Sequence, residues 1–394
     1  MNQRQPDMRI FSINASRVVE IAAGESTKAL SDLQLPASGY LWLSCSRAEL
    51  DLLQMPLQAA LQNLCKLQLI DLHLSDLLNV QLPSRFDFTS QYDLLVFRGL
   101  MVSGAEAAAP GSQPLNHLPR RGGPPILRRI DTSPVGFVVF DRVLLTVHPA
   151  DHNLRDTYAG RLLAASGTAT QSTAAPGTLD SRSTGARGVP ANPADLMLRI
   201  VNQMVDGYLA LRRELSQQLD HWQTELLNPK TRFNNWNALL SARLSLHHLD
   251  EICEDQRAAI QDWIEVLKSW PEHDELLSKH QRDLLHVRSR DVLEHIERVL
   301  HHVQRLEQNA ETTVQMHFNA QSHRTNEIMR TLTVLTAIFL PLNLIAGIFG
   351  MNFEFIPLLH MSHGFWWAMV SMGVTAAGLV VFFWRKRYLE RSSR

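Results

Sequence analysis

The spacing of apolar positions is helical through most of the second half of the chain. From Asp195 onward apolar residues recur mostly three or four positions apart, and Asn228-Pro229 ends this first predicted helix. A second predicted helix spans roughly residues 236–270 and stops at Pro271. We therefore expect residues 193–271 to form an antiparallel helical hairpin.

A third helical segment, residues 272–350, is longer than either of these. Residues 272–340 contain neither Gly nor Pro, the two strongest helix breakers. Charged side chains crowd the part before Arg330, and none occurs in residues 331–353. This change of polarity predicts one stalk helix that continues from water into lipid as a first transmembrane helix.

The first half of the chain alternates short apolar runs with turns, which is typical of strands. The runs that we interpret as strands are 8–14, 39–44, 85–89, 92–100, 136–140 and 143–147. Asp141-Arg142 predicts a two-residue hairpin between the last two runs. Residues 49–70, despite Pro56, and a short segment near Asp76 are predicted helices. We expect an α/β domain over residues 1–192, with flexible insertions near 103–125 and 165–191 where small residues, Gly, Pro and Ser accumulate.

Two apolar segments near the end of the chain are long enough to cross a bilayer. Residues 331–349 and 365–384 give helices of about 28 and 30 Å, close to the hydrocarbon thickness. Lys and Arg flank both segments, and the connecting residues 351–364 contain neither, so both chain ends are expected in the cytosol and the loop outside. The basic tail, residues 385–394, would then be cytosolic. A hairpin buried in a soluble protein is the alternative interpretation.

Composition excludes several other classes. A net charge of −1 disfavours a nucleic-acid partner. The three cysteines, Cys45, Cys65 and Cys253, share no short spacing, which argues against a disulfide framework or a thiolate zinc site. Residues 1–30 show no basic-then-apolar export leader, so we expect everything before about residue 325 to stay in the cytosol. There is no Gly-rich Lys-Ser/Thr phosphate loop, no cofactor is indicated, and we expect no enzyme activity and no catalytic residues.

A stripe of polar and small residues follows one side of the first transmembrane segment, at alternating steps of three and four. Its members are Asn326, Met329, Thr333, Thr336, Leu340, Asn343, Gly347 and Gly350. Polar groups in lipid are costly unless they face protein or water. This polar stripe therefore predicts either a water-filled path enclosed by several identical subunits or a seam where helices pack together.

The triplet Gly350-Met351-Asn352 lies directly after the first segment and is followed by Phe353 and Glu354. A Gly and an Asn at a helix end are also an ordinary C-cap signal. In this position, between two C-terminal spans, the triplet resembles the Gly-Met-Asn signature of the CorA family of divalent-metal channels. Residues 325–329, Pro341, residues 346–348 and the closing basic run extend the resemblance over about the last 70 residues.

The resemblance implies a CorA-like, funnel-shaped homo-oligomer, most simply a pentamer, in a bacterial inner membrane. It implies uptake of hydrated Mg²⁺, with Co²⁺ and Ni²⁺ as further candidates, driven by the membrane potential. Gly350, Met351 and Asn352 would form the selectivity filter, with Gly350 allowing a sharp backbone turn, and Glu354 would attract cations. The residues that match pore-lining or gate positions of the family are Asn326, Met329, Leu332, Thr336, Leu340 and Asn343.

The resemblance also implies a regulatory Mg²⁺ site between neighbouring subunits, formed by Asp76 and Asp291. Ser75 stands where the family usually has Glu, which removes one carboxylate from this site. Asn343 replaces a common Thr, and Leu358 replaces an acidic residue of the loop, so metal preference is open. Two unrelated surface aspartates are the alternative to the regulatory site.

Two alternatives remain for function. Within transport, the chain could carry Zn²⁺, for which its 17 histidines, including His247-His248 and His301-His302, leave room. The resemblance implies that Met351, at the middle of the signature, favours transport of Mg²⁺ over transport of Zn²⁺. In a different class, the chain could be a membrane-anchored coiled-coil scaffold or receptor, in which the polar stripe is only a packing surface.

Overall fold

The structure is a computed structural model that describes residues 8–14, 17–21, 30–101, 130–149, 154–169, 188–227, 236–270, 278–351 and 363–386. These residues divide into two compact units, which are described separately. The first comprises described residues up to 225 together with 236–270 and 278–310, and the second contains residues 311–351 and 363–386.

A seven-stranded mixed sheet organises the first unit. Its strands are β1 Arg9–Ile13, β2 Val18–Ile21, β3 Tyr40–Ser46, β4 Arg85–Phe88, β5 Asp93–Leu100, β6 Thr132–Val139 and β7 Val143–His148. Their order across the sheet is β2-β1-β3-β7-β6-β5-β4, and β3 pairs in parallel with β7 while the other pairs are antiparallel. The Phe140 amide donates to the Val143 carbonyl at 2.9 Å, which closes the predicted hairpin at Asp141-Arg142.

Helices cover both faces of this sheet. In chain order, the helices among the described residues of both units are α1 Arg47–Leu52, α2 Gln54–Cys65, α3 Asp71–Leu78, α4 Leu154–Ala169, α5 Pro193–Leu227, α6 Trp236–Ser269, α7 Lys279–Phe349 and α8 Gly364–Arg385. One apolar core joins the sheet to α1–α3, and the other joins the opposite face to α4–α6 and the start of α7. The sheet contributes to both cores, because alternate strand residues point to opposite faces.

The predicted fold class is confirmed: an α/β domain precedes long helices and two apolar helices. The single helix predicted over residues 49–70 is wrong, since the structure has the two helices α1 and α2 in this range, and α3 begins only at Asp71. The break after α2 falls at Lys66, whose backbone is left-handed with φ of 61°. A left-handed residue cannot continue a right-handed helix, which is why α2 ends there.

Two other expectations need correction. The long helix begins at Lys279 rather than Glu272, because Ser278 and Gln281 form a reciprocal pair of side-chain to backbone hydrogen bonds, at 3.3 and 3.1 Å, that caps it. The predicted insertion at 165–191 overlaps α4, which runs to Ala169. The insertion predicted at 103–125 lies outside the described residues.

Candidate functional site

The polar stripe lies on α7, a single helix of 71 residues. Pro341 lies inside it without ending it. Proline has no N–H, so the carbonyl of Ala337, one turn earlier, lacks its usual helical hydrogen bond from this position. In a membrane such a helix is tolerated where neighbouring helices or water supply the missing partner.

Within the second unit, one side of α7 is less exposed than the rest. We call this side the buried seam, and its members are Val334, Ala337, Ile338, Pro341, Leu342, Ile345 and Phe349. On α8 the less exposed residues also recur at steps of three and four, and they are Ala368, Met372, Thr375, Ala376, Leu379 and Phe383. Each of the two helices thus has one less exposed and one more exposed side.

The polar stripe lies on the other side of α7. Thr336 is two residues from Val334 and from Ile338, and Asn343 is two residues from Pro341 and from Ile345, which is about 200° around a helix. All six predicted pore-lining residues are exposed in the single chain; Met329, Leu332 and Leu340 are 61%, 56% and 66% exposed. The structure therefore brings the predicted pore residues together on the more exposed side of α7.

The stripe's hydroxyl groups are already bonded to their own helix. Thr333 Oγ1 donates to the Met329 carbonyl at 2.7 Å, and Thr336 Oγ1 donates to the Leu332 carbonyl at 2.9 Å. Each hydroxyl hydrogen is therefore used, while the lone pairs of the oxygen stay available as acceptors. These oxygens can accept hydrogen bonds from a donor such as the water molecules that surround a hydrated cation.

At the end of α7 the chain leaves the helix through Gly350 and Met351. The Gly350 amide donates to the Ala346 carbonyl at 2.9 Å and the Met351 amide to the Ile348 carbonyl at 3.3 Å. Gly350 does not have a positive φ, so the glycine is not required here by a left-handed backbone. A Cβ at position 350 would instead lie 3.0 Å from the Ala346 oxygen, so close approach explains the glycine. The other predicted entrance residues, Asn352, Glu354 and Leu358, lie outside the described residues.

The predicted regulatory aspartate Asp76 lies on α3 and is 8% exposed. Its Oδ2 is 3.4 Å from Arg85 Nη1, on β4, and Arg85 Nη2 is 3.0 Å from Asp87 Oδ2. His73 Nε2 also lies 3.4 Å from Asp87 Oδ2. Sequence reasoning did not identify Arg85, because the pairing of β4 with α3 is a tertiary contact that no local pattern reports.

Tyr92 continues this network at the start of β5. Its hydroxyl is 2.8 Å from His73 Nδ1 and accepts from the Ile70 amide at 3.2 Å. Burial, with a contribution from Asp87, raises the pKa of Tyr92, although the Ile70 amide opposes this. Tyr92 thus stays protonated and connects the start of α3 to the sheet.

Asp291, the second predicted regulatory residue, lies on α7 with a side chain that is 57% exposed. Its Oδ1 is 3.7 Å from His295 Nε2, one turn further along the helix. Within one chain the two aspartates therefore have different partners, Arg85 and His295. The described residues contain no group of three or more His, Cys, Asp or Glu that could hold a metal ion.

Both α7 and α8 contain a segment long and apolar enough to cross a membrane. Only 6% of that segment in α7 and 0% in α8 is buried, unlike a core helix of a soluble protein. A sequence profile of the family described as CorA-like Mg²⁺ transporter protein matches residues 50–387. The chain belongs to this CorA family. Its two apolar helices are thus candidate spans of a membrane transporter, and the resemblance found in the sequence is confirmed.

Individual CorA relatives match shorter stretches. The chain is 27% identical over 202 residues to the cobalt/magnesium transport protein CorA of Thermotoga maritima, covering 49% of this chain and 52% of that protein. It is 33% identical over 101 residues to the magnesium transport protein CorA of Haemophilus influenzae, covering 26% of this chain and 32% of that protein. The chain thus spans about half, or less, of the length of these curated relatives.

Solved structures extend the fold comparison to the whole chain. The complete CorA magnesium transporter of Methanocaldococcus jannaschii matches with a TM-score of 0.64 and 18% identity, over 96% of this chain and 97% of that one. The full-length CmaX protein matches with a TM-score of 0.61 and 16% identity, over 98% and 100% of the two chains. At these identities the likeness shows the CorA fold.

Proposed function

We propose that this CorA chain forms a passive channel through which hydrated Mg²⁺, and also Co²⁺, enters the cell. The observation that carries the proposal is the polar stripe, which lies on the side of α7 opposite the buried seam and leads to Gly350-Met351. A single two-helix hairpin cannot enclose water. Several copies arranged around one axis, with their stripes inward, would enclose a path.

The chemistry of Mg²⁺ fits such a path. Mg²⁺ loses its water shell reluctantly, so a pathway with neutral acceptor oxygens can hold the hydrated ion without stripping it. Thr333 and Thr336 offer such oxygens, and Asn352 would supply a carboxamide ring at the outer mouth, with Glu354 adding negative charge there. Met329 and Leu332 would form an apolar constriction that can close by excluding water.

The driving force needs no nucleotide. The membrane potential contributes about 2.3 kcal/mol per elementary charge per 100 mV, hence about 4.6 kcal/mol for a divalent cation. The relatives from Thermotoga maritima and Haemophilus influenzae are named as cobalt/magnesium and magnesium transport proteins, which supports these two cations as cargo. A homopentamer in the bacterial inner membrane, with both termini in the cytosol, completes the proposal.

Internal Mg²⁺ would close the channel by bridging Asp76 of one subunit and Asp291 of the next. Asp76 must then release Arg85, which keeps Asp87 as a partner at 3.0 Å. Mg²⁺ would then take the place of the Arg85 guanidinium at Asp76, and Arg85 would keep its ion pair with Asp87. If the double variant Asp76→Ala/Asp291→Ala retains full inhibition by internal Mg²⁺, this pairing is wrong.

Uptake into proteoliposomes of the full chain tests the proposed function. We expect uptake of Mg²⁺ and Co²⁺ that increases with an inside-negative potential and falls at least about tenfold in Asn352→Ala. Asn63→Ala, at an exposed asparagine of α2, is the matched control and should leave uptake unchanged. Uptake of Zn²⁺ alone would identify a zinc transporter, and no uptake of any divalent cation would favour the scaffold.

A further inference from the structure

Two arginines and a histidine lie where α5 meets α7 in the first unit. Ser216 Oγ is 2.7 Å from His302 Nε2, which joins the two helices, and it donates to the Arg212 carbonyl at 2.9 Å. Burial lowers the pKa of His302, and Arg212 and Arg305 lower it further. The imidazole of His302 is therefore neutral near neutral pH, and the positive charge comes from the two arginines. We call Arg212 and Arg305, together with His302 beside them, the basic edge.

Within the part of the chain that the structure describes, no carboxylate pairs with either arginine of the basic edge. The residues one turn before and after Arg212 are Tyr208, Leu209, Leu215 and Ser216, and those around Arg305 are His301, His302, Gln308 and Asn309. Among the described residues neither arginine is within ion-pair distance of a carboxylate, in contrast to Arg298, whose Nη2 is 2.7 Å from Glu294. Uncompensated like charges repel each other, so an external anion would stabilise this edge.

A complementary group of carboxylates lies where α6 meets α7. Its members, the acidic edge, are Asp250, Glu251, Glu254, Asp255 and Glu307. Burial raises the pKa of Asp250, and Glu254 and Glu307 raise it further. Burial, Glu251 and Glu254 likewise raise the pKa of Asp255. Two histidines lie close to this edge: His247 Nε2 is 3.7 Å from Glu251 Oε1, and His248 Nδ1 is 3.6 Å from Glu251 Oε2.

The two edges flank α7 on opposite sides of its buried surface. Val303 and Leu306 are 0% and 5% exposed and form part of that surface. His302 and Arg305 each precede one of these residues, whereas Gln304 and Glu307 each follow one. One residue is about 100° around a helix, so the basic and acidic groups lie on different flanks of α7.

We propose that the basic edge of one subunit binds the acidic edge of the next subunit. This proposal rests on the homo-oligomer of the proposed function. Contacts between two different surfaces of identical chains run head to tail, and in a closed ring every subunit uses each surface once. Opposite charges across such a contact fix its orientation and suppress wrong pairings. The partner of the basic edge is therefore a second copy of this chain rather than a free anion.

Charge reversal in the full chain tests this contact. We expect Arg212→Glu/Arg305→Glu and Glu251→Arg/Glu254→Arg each to weaken subunit association in detergent by at least about tenfold, measured by native mass spectrometry. The chain that carries all four reversals should recover association, because every contact in the ring regains opposite charges. Failure of the fourfold variant to recover, with an unchanged circular dichroism spectrum, overturns the proposal.

Cross-linking supplies a second measurement that does not depend on affinity. In a chain whose three cysteines are replaced by alanine, Arg305→Cys/Glu254→Cys with a short bis-maleimide should give a ladder of covalent oligomers. Arg305→Cys/Arg212→Cys, with both sites on the basic edge, is the control and should give none. A stable oligomer without a ladder overturns this interface alone. A wild-type chain that is monomeric in lipid nanodiscs overturns the proposed function as well.

A free anion is the competing partner of the basic edge. Inorganic phosphate would then raise the melting temperature of the wild-type chain. That increase would vanish in Arg212→Glu/Arg305→Glu, and Glu251→Arg/Glu254→Arg would leave association unchanged. This combination of results would also overturn the proposed subunit contact.

Discussion

Asp195 is a buried charge that connects two helices of the first unit. Its side chain is 2% exposed, and its Oδ1 is 3.0 Å from Arg288 Nε on α7 while its Oδ2 is 3.2 Å from Arg199 Nη2 on α5. The Ala191 amide also donates to it at 3.2 Å. A carboxylate without water is stable only with such partners, so it holds the start of α5 against α7.

Asp195→Asn should therefore be strongly destabilising. It leaves two arginines facing a neutral amide, and breaking a buried ion pair typically costs about 3–5 kcal/mol. Thermal unfolding of the full chain in detergent measures the effect. Glu294→Gln is the control, because it breaks the exposed Arg298–Glu294 pair, which is worth about 0.5 kcal/mol or less. Equal shifts in melting temperature for the two variants would contradict this role of Asp195.

Asp93, at the start of β5, makes stability depend on pH. Burial, together with the nearby Asp141, raises its pKa from 3.8 to about 7. The folded protein keeps this proton, whereas the unfolded chain releases it near 3.8, so this group destabilises the fold as pH rises between these values. When the melting temperature is measured at several pH values between about 4 and 7, the wild-type chain should lose stability as pH rises, and Asp93→Asn should remove this loss. Asp141→Asn should shift the loss of stability to lower pH. If neither variant changes the pH dependence of the melting temperature, Asp93 is not its cause.

At the scale of elements, a glycine on the sheet allows α3 to pack closely against it. Gly136 lies on β6, and a Cβ there would be 2.2 Å from Leu77 Cδ2. Leu77 is 3% exposed and neighbours Asp76 on α3. The glycine thus lets the helix that carries the candidate regulatory aspartate lie close to the strand.

Gly136→Ala should displace Leu77 and destabilise the first unit by about 1–3 kcal/mol, the usual cost of overpacking a core. We also expect weaker inhibition by internal Mg²⁺, because α3 carries Asp76. Gly160→Ala on α4 is the control, since a Cβ there meets no atom within 4 Å and alanine favours a helix. Denaturant unfolding should show a lower midpoint for the first variant alone.

The elements that the sequence predicts correctly are those set by local patterns. Helix α7 follows from the absence of breakers, and the β6–β7 hairpin follows from Asp141-Arg142. The predicted start at residue 272 is wrong because the reciprocal hydrogen bonds between Ser278 and Gln281 cap the helix, which therefore begins at Lys279. The helix predicted over 49–70 is wrong because Lys66 takes a left-handed conformation, which no periodicity reveals.

At the scale of the whole molecule, the sequence predicts the fold class, two candidate spans and the family. It cannot predict that Asp195 meets Arg288 or that Asp76 meets Arg85, because residues far apart in the chain become neighbours only after folding. The polar stripe is an intermediate case. Periodicity shows that its members share one side of α7, but only the structure shows that this side is opposite the buried seam.

Chemical modification of single cysteines during Mg²⁺ uptake tests the proposed ion path most directly. In a chain without its native cysteines, a water-soluble methanethiosulfonate should block uptake through Thr336→Cys and Leu340→Cys. Leu335→Cys is the control, because Leu335 is also exposed, at 53%, but lies about 100° around α7 from Thr336. Block at the two stripe positions alone is the predicted result. Equal block at Leu335, or uptake that persists after complete modification of the stripe, would contradict an ion path along it.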